Sequence, residues 1–307
     1  MPIRSLRTSL AAVFDQLYAE ERRASLDRLM VDVSIAGFLI HLGLVFVART
    51  LDHPPALLAA VGRNYLSAIY TPFSFILFFE VLMLIAALPQ STTQSIGKQY
   101  EIVSLIFIRR FFKDIAELDD INRLTQFSAG SRTVFLDVGA GLVMFLLVTV
   151  FFHAGRRRPP PGAGPQESET LEKFISRKKA VALGLTVLLF SLAAYSLFEF
   201  ASEAWNVAYH GATAKLDPNT FFYTEVFTVM IFTDVLIVIL SLAVSDRYEL
   251  VFRNAAFVIS TILIRFSLTA GRPSGAVLAL SGMAFGILTL VIYNYHVRIS
   301  QPRTNPA

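Results

Sequence analysis

The chain has 307 residues, 54% of them hydrophobic and only 16% charged, with 27 Phe and no Cys. Soluble domains usually carry about 25% charge, so there is too little solvent-facing surface here for a water-soluble globule. The missing cysteine excludes disulfides, thiolate metal sites and cysteine nucleophiles, and the formal charge of +4 must be judged by where the basic residues lie.

Residues 1–30 form a first, polar segment. Arg4, Arg7, Asp15, Glu20, Glu21, Arg22, Arg23, Asp27 and Arg28 interrupt it, so it does not read as a cleavable signal. Leu6, Leu10, Val13, Phe14, Leu17 and Tyr18 recur at helical spacing. Two placements suit such an amphipathic helix: on the membrane surface, or packed on the rest of the chain.

From residue 31 onward the pattern is membrane-like. A stretch of about 20 mainly apolar residues crosses the hydrocarbon core, and this rule predicts eight spans, near 32–50, 69–89, 99–116, 133–153, 180–200, 222–244, 249–270 and 274–295. Between spans four and five the Pro/Gly-rich run from Gly155 to Pro165, with the polar stretch to Lys179, reads as a linker. The expected organisation is an all-α polytopic protein: a first four-helix repeat over 31–154, a linker over 155–179, a second four-helix repeat over 180–297 and a tail over 298–307.

Lysine and arginine set the orientation. With the N-terminus inside, the inner segments gather Arg22, Arg23, Arg28, Arg156, Arg157, Arg158, Lys173, Arg177, Lys178 and Lys179 among others, whereas the outer ones hold only Arg49, Arg63, Lys113, Arg123, Arg132, Lys215 and Arg272. Both termini and the linker are therefore expected in the cytoplasm. This bias accounts for the basic balance, and no nucleic-acid partner is needed to explain it.

The two halves repeat one another. The apolar run Thr71 to Leu82 carries Glu80, and the run Glu225 to Leu236 carries Asp234 at the corresponding point. About thirty residues later each half has an apolar run holding arginine: Ile108-Arg109-Arg110 in the first, Ile264-Arg265 in the second. Charges at membrane depth are a functional-site hypothesis by default, costing roughly 2.5–3.5 kcal/mol each on insertion scales. Pairing offsets that cost, so Glu80 is expected beside Arg109 or Arg110, and Asp234 beside Arg265. Asp137, one turn into span four, either joins the first half's charges or, more simply, reaches water. The alternative role for Glu80 and Asp234 is to line a polar path and exchange a proton or cation. Halves that cross an even number of times share one orientation, as expected for parallel repeats.

The second half, Phe227 through His296, resembles the phosphate-starvation-inducible E (PsiE) family of small four-span bacterial inner-membrane proteins. The resemblance rests on Phe232-Thr233-Asp234, on Phe252-Arg253, on Thr261 through Arg265 and on an apolar last span. The first half is similar through Phe78-Phe79-Glu80, Ile108-Arg109 and Leu136-Asp137-Val138, although the second half has Ala276 where the first has Asp137. The resemblance implies a fold and an inner-membrane location, with a link to phosphate starvation or stress by analogy. It implies no reaction or substrate.

Other chemistry finds no support. His41, His53, His153, His210 and His296 lack the spacing of a helical metal site, and of these His41 alone lies mid-span, where a bond to a neighbouring helix is the simplest role. There is no GxSxG, P-loop or dinucleotide turn. The expectation is a non-enzymatic membrane protein without cofactor or metal, its environment the lipid bilayer, with a homo-oligomer or a membrane-protein partner left open. The alternative is a small transporter or channel.

Overall fold

The computed structural model describes residues 2–116, 129–156, 165–210, 228–237, 239 and 248–300. The described residues are helical wherever they are regular: α1 (Pro2–Leu17), α2 (Glu20–Thr50), α3 (Ala56–Val61), a 3-10 turn (Tyr65–Ile69) leading into α4 (Tyr70–Ala87), α5 (Thr92–Ala116), α6 (Ala129–Arg156), α7 (Pro165–His210), α8 (Thr228–Ile237), α9 (Tyr248–Thr269) and α10 (Ser274–Ser300). Six of these segments are long and apolar enough to cross a membrane: α2, the 3-10 turn with α4, α6, α7, α9 and α10. The helix at predicted span three, α5, has the length, but Glu101, Arg109, Arg110, Lys113 and Asp114 keep it out of that class. Span six is described as the ten-residue apolar helix α8, and most of the remainder of 222–244 lies outside the described residues.

Two boundaries differ from the sequence reading. The stretch after Pro165 is the start of α7, a single helix of 46 residues, about 70 Å long at 1.5 Å per residue. Proline at the first helical position is compatible with a helix start, and Glu167, Glu169 and Glu172 follow without a breaker. The remaining linker residues, 157–164, lie outside the described ones. The first span likewise belongs to a longer helix, since α2 starts at Glu20 and runs 31 residues.

The lone helix α1 packs on α7. Phe14 is buried in one core with Ala182, Leu185 and Leu189, the Tyr18 hydroxyl lies 2.7 Å from Thr186 Oγ1, and Lys179 Nζ reaches Asp15 Oδ2 at 2.6 Å. This amphipathic helix thus has its apolar side on the rest of the chain. By contrast α2 is almost wholly unburied. Leu39, Ile40 and Phe46 are exposed, the surface expected of a helix bathed in lipid. It touches α4 where Gly37 faces Phe75 and where His41 Nδ1 meets Thr71 Oγ1 at 2.5 Å.

Among the described residues the two halves share their cores. Helices α5 and α6 of the first pack against α9 and α10 of the second, and Tyr100, Phe107, Met144 and Phe151 share one core with Phe257, Ile264, Met283 and Leu290. A second core joins α4, α7 and α8 through Leu82, Ile85, Leu189 and Met230. Small residues explain the close packing, as in other membrane bundles. A Cβ on Gly141 would come within 2.7 Å of Ile108 and one on Gly282 within 3.0 Å of Ile264 and the Ser260 carbonyl. Periodicity identifies a helix face as apolar without naming its neighbour, so this exchange between halves could not be read from it.

The tightest contact across the halves is at Gly286. Tyr100, fully buried, sets its hydroxyl 2.5 Å from Ser260 Oγ, and Ser260 in turn donates to the Gly282 carbonyl at 2.6 Å. A Cβ on Gly286 would overlap that hydroxyl. Gly286→Ala should therefore destabilise the folded chain by about 1–3 kcal/mol, the usual cost of overpacking, and Tyr100→Phe in the same chain should recover part of it. Unfolding in detergent reads both, and a neutral Gly286→Ala would contradict the packing described.

Candidate functional site

Among the described residues, three clusters of charged side chains stand out in the apolar scaffold. The first joins α4 and α5. Glu80, on the second half of α4, receives both terminal guanidinium nitrogens of Arg109, one on each carboxylate oxygen, and both side chains are largely buried. A planar guanidinium matches a carboxylate in this bidentate way, which orients as well as neutralises it.

The second cluster joins α8, α9 and α5. Arg265 donates to Asp234 Oδ2 from Nε at 3.1 Å and from Nη2 at 2.8 Å, and Nη2 also reaches Gln99 Oε1 at 3.3 Å. Side-chain exposure is 3% for Arg265 and 7% for Asp234, so the pair is sealed from solvent on nearly all sides. Gln99 comes from the first half, so a residue of one half completes the charge pair of the other.

The third cluster sits at the end of the bundle remote from the linker. Arg272, between α9 and α10, donates to both oxygens of Asp114 at 2.9 and 2.8 Å and places Nε 3.0 Å from Asp137 Oδ2. Arg110 lies alongside, its guanidinium 4.2 Å from the Phe107 ring centre and its Nη2 3.3 Å from the carbonyls of Ser267 and Leu268 near the end of α9. A cation placed there completes carbonyls that a helix end leaves without intrahelical partners. Among the described residues the sequence-identified charges thus divide: Glu80 meets Arg109, Asp234 meets Arg265, and Arg110 and Asp137 turn to the opposite half. The simplest role given above to Asp137, reaching water, does not hold. Its side chain is 3% exposed and its counter-charge is Arg272.

Close to the second cluster, toward the linker end, lies a cavity of about 30 Å³. Its wall includes Asp234 and Gln99 with Thr92, Ser95, Asn254 and Lys178. Lys178 is buried, and its ammonium donates to the Gln90 carbonyl at 2.7 Å. Sequence reasoning missed Lys178, Gln99, Asp114 and Arg272. Lys178 and Arg272 were counted only as orientation charges, although Lys178 falls on the helical continuation of an apolar span, which is the one signal that could have singled it out.

No family model, curated protein or solved structure matches the chain.

Arg272 holds two acids at once, so its loss should leave Asp114 and Asp137 facing each other without a counter-charge. Arg272→Gln is expected to cost about 1–2 kcal/mol, discounted for the partial exposure of its side chain. Asp137→Asn in that background should return part of the loss. Denaturation in detergent measures both, and an additive or worse double variant would show that the three side chains do not act together.

Proposed function

We propose that this chain is a non-enzymatic integral protein of a bacterial inner membrane, a tandem duplication similar to the PsiE family, in which intramembrane charges lock helices together. The carrying observation is that both mid-helix acids, Glu80 and Asp234, are engaged by an arginine of the following helix. A buried carboxylate left alone would be costly, and an arginine beside it removes most of that cost at the expense of its freedom to exchange ions.

The duplication is supported by matching contacts. Gly141 of α6 faces Ile108 and the Ser104 carbonyl, and Gly282 of α10 faces Ile264 and the Ser260 carbonyl. In each half the next residue after that isoleucine is the pairing arginine, Arg109 or Arg265. The distribution of lysine and arginine favours cytoplasmic termini. A connection with phosphate starvation or stress rests on the family resemblance alone. The lipid bilayer is the surrounding partner, and the exposed apolar faces of α2 and α6, with Leu39, Ile40, Leu142 and Leu146, suit either lipid or a further membrane helix.

A second reading, a small transporter or channel with Glu80 and Asp234 as proton or cation sites, draws support from the cavity beside Asp234. Lys178 and Arg265 on the same side oppose a cation there, so the locking role is preferred.

Stability separates the two roles. Arg265→Leu should cost about 3–5 kcal/mol by leaving Asp234 buried and unpaired. Asp234→Leu with Arg265→Leu should restore most of the loss, because two apolar side chains replace the pair. Unfolding in detergent or lipid reads the difference, and a double variant no more stable than Arg265→Leu would refute the locking role.

A further inference from the structure

Helices α5 and α6 run antiparallel, with Gly97 facing Phe152 and Gly141 facing Ile108. Toward the linker end a groove of about 480 Å³ lies between them. Its apolar wall is Leu105 of α5 with Phe145, Val148 and Phe152 of α6. Phe145 is 60% and Leu105 41% exposed, so the groove opens outward, where a membrane presents acyl chains. Ser104 and Thr149 also line it, and their hydroxyls donate to carbonyls of their own helices at 2.7 and 3.2 Å. This part of the groove suits hydrocarbon better than a polar ligand.

The other end of the groove is polar and holds Glu101, His153 and Arg156. Lys98 donates to Glu101 Oε2 at 2.6 Å, so a cation of the same helix meets that acid. Summed over the groove's lining residues and Lys98, the charge is that of Arg156, and His153 adds a ring N–H donor. The carbonyl end of α6 does not itself draw an anion, so the attraction comes from these side chains. The sequence continues with the same sign in Arg157-Arg158. Basic side chains at the interfacial end of an apolar groove recognise lipids with negatively charged headgroups.

Depth decides the size of the occupant. From Arg156 to Phe145, α6 spans about 16 Å at 1.5 Å per residue, close to half of a hydrocarbon core of roughly 30 Å. That is the reach of an acyl chain of one leaflet, whereas a partner helix would need contact through both. We infer that the groove between α5 and α6 seats one anionic phospholipid, with its phosphate at Arg156 and an acyl chain along Phe145 and Leu105. The inference rests on the reading of this chain as an integral membrane protein. It does not depend on whether the buried charges lock helices or carry ions.

The test places the full chain in vesicles of phosphatidylcholine with brominated acyl chains, which quench nearby tryptophan. Trp205→Phe removes the single natural tryptophan, and Phe145→Trp sets a reporter in the groove. Replacing part of the brominated lipid with unbrominated phosphatidylglycerol or phosphatidylcholine relieves quenching according to each lipid's affinity there. At Phe145→Trp, phosphatidylglycerol should be preferred about fivefold, the factor that one basic side chain gives near a charged lipid surface. A Leu39→Trp reporter on exposed α2 should show no preference, and Arg156→Gln should abolish the preference in the groove. Equal relief by both lipids at Phe145→Trp overturns the inference. So does the same preference at Leu39→Trp, or one that survives Arg156→Gln. The two reporters decide the matter even if Arg156→Gln does not fold. Bromine that quenches neither reporter would overturn the membrane reading itself, and the inference with it.

Discussion

A carboxylate and a guanidinium buried between neighbouring helices are the constraint around which this structure is arranged. Most of the chain could slide or rotate in lipid at little cost, because apolar side chains are as comfortable against acyl chains as against each other. Glu80 with Arg109 and Asp234 with Arg265 have no such latitude. Each pair fixes the depth and rotation of two helices at once, and the planar fork of arginine makes that fixing directional. Gln99 then ties the second pair to α5, so the register of one half is transmitted to the other.

Packing follows from that register. With α5 and α9 positioned by their arginines, Gly141 and Gly282 lie where α6 and α10 must approach most closely, and Gly286 lies under the Tyr100 hydroxyl. Four helices that pack together, α5, α6, α9 and α10, are therefore drawn equally from both halves, while α2 remains largely unburied and α1 closes over α7 through Phe14 and Tyr18. At the far end Arg272 and Arg110 repeat the cross-half theme in a more accessible setting, where each bond is worth less.

How much of this could be read beforehand depended on how few candidates each residue had. An acid inside one apolar run, with an arginine inside the next, leaves little choice of partner, and the pairing of Glu80 and Asp234 was legible for that reason. Asp137 was not, because its partner Arg272 lies in the other half and sequence distance carries no hint of it. Lys178 was obscured by its neighbours Arg177 and Lys179, which make the stretch look like an ordinary basic flank, until α7 is seen to continue through it as one helix. Which helices of the two halves meet was hidden on similar grounds. A linker rich in proline and glycine marks a boundary along the chain and says nothing about which helices meet in space.

The central claim is that the intramembrane charges hold helices and do not carry ions. It is tested most directly by proton and cation flux in proteoliposomes under both signs of membrane potential, comparing the wild type with a folded Glu80→Gln, Asp234→Asn double variant. The account predicts no flux above protein-free vesicles for either protein. A wild-type flux that the double variant abolishes would contradict it and make Glu80 and Asp234 the ion-carrying sites.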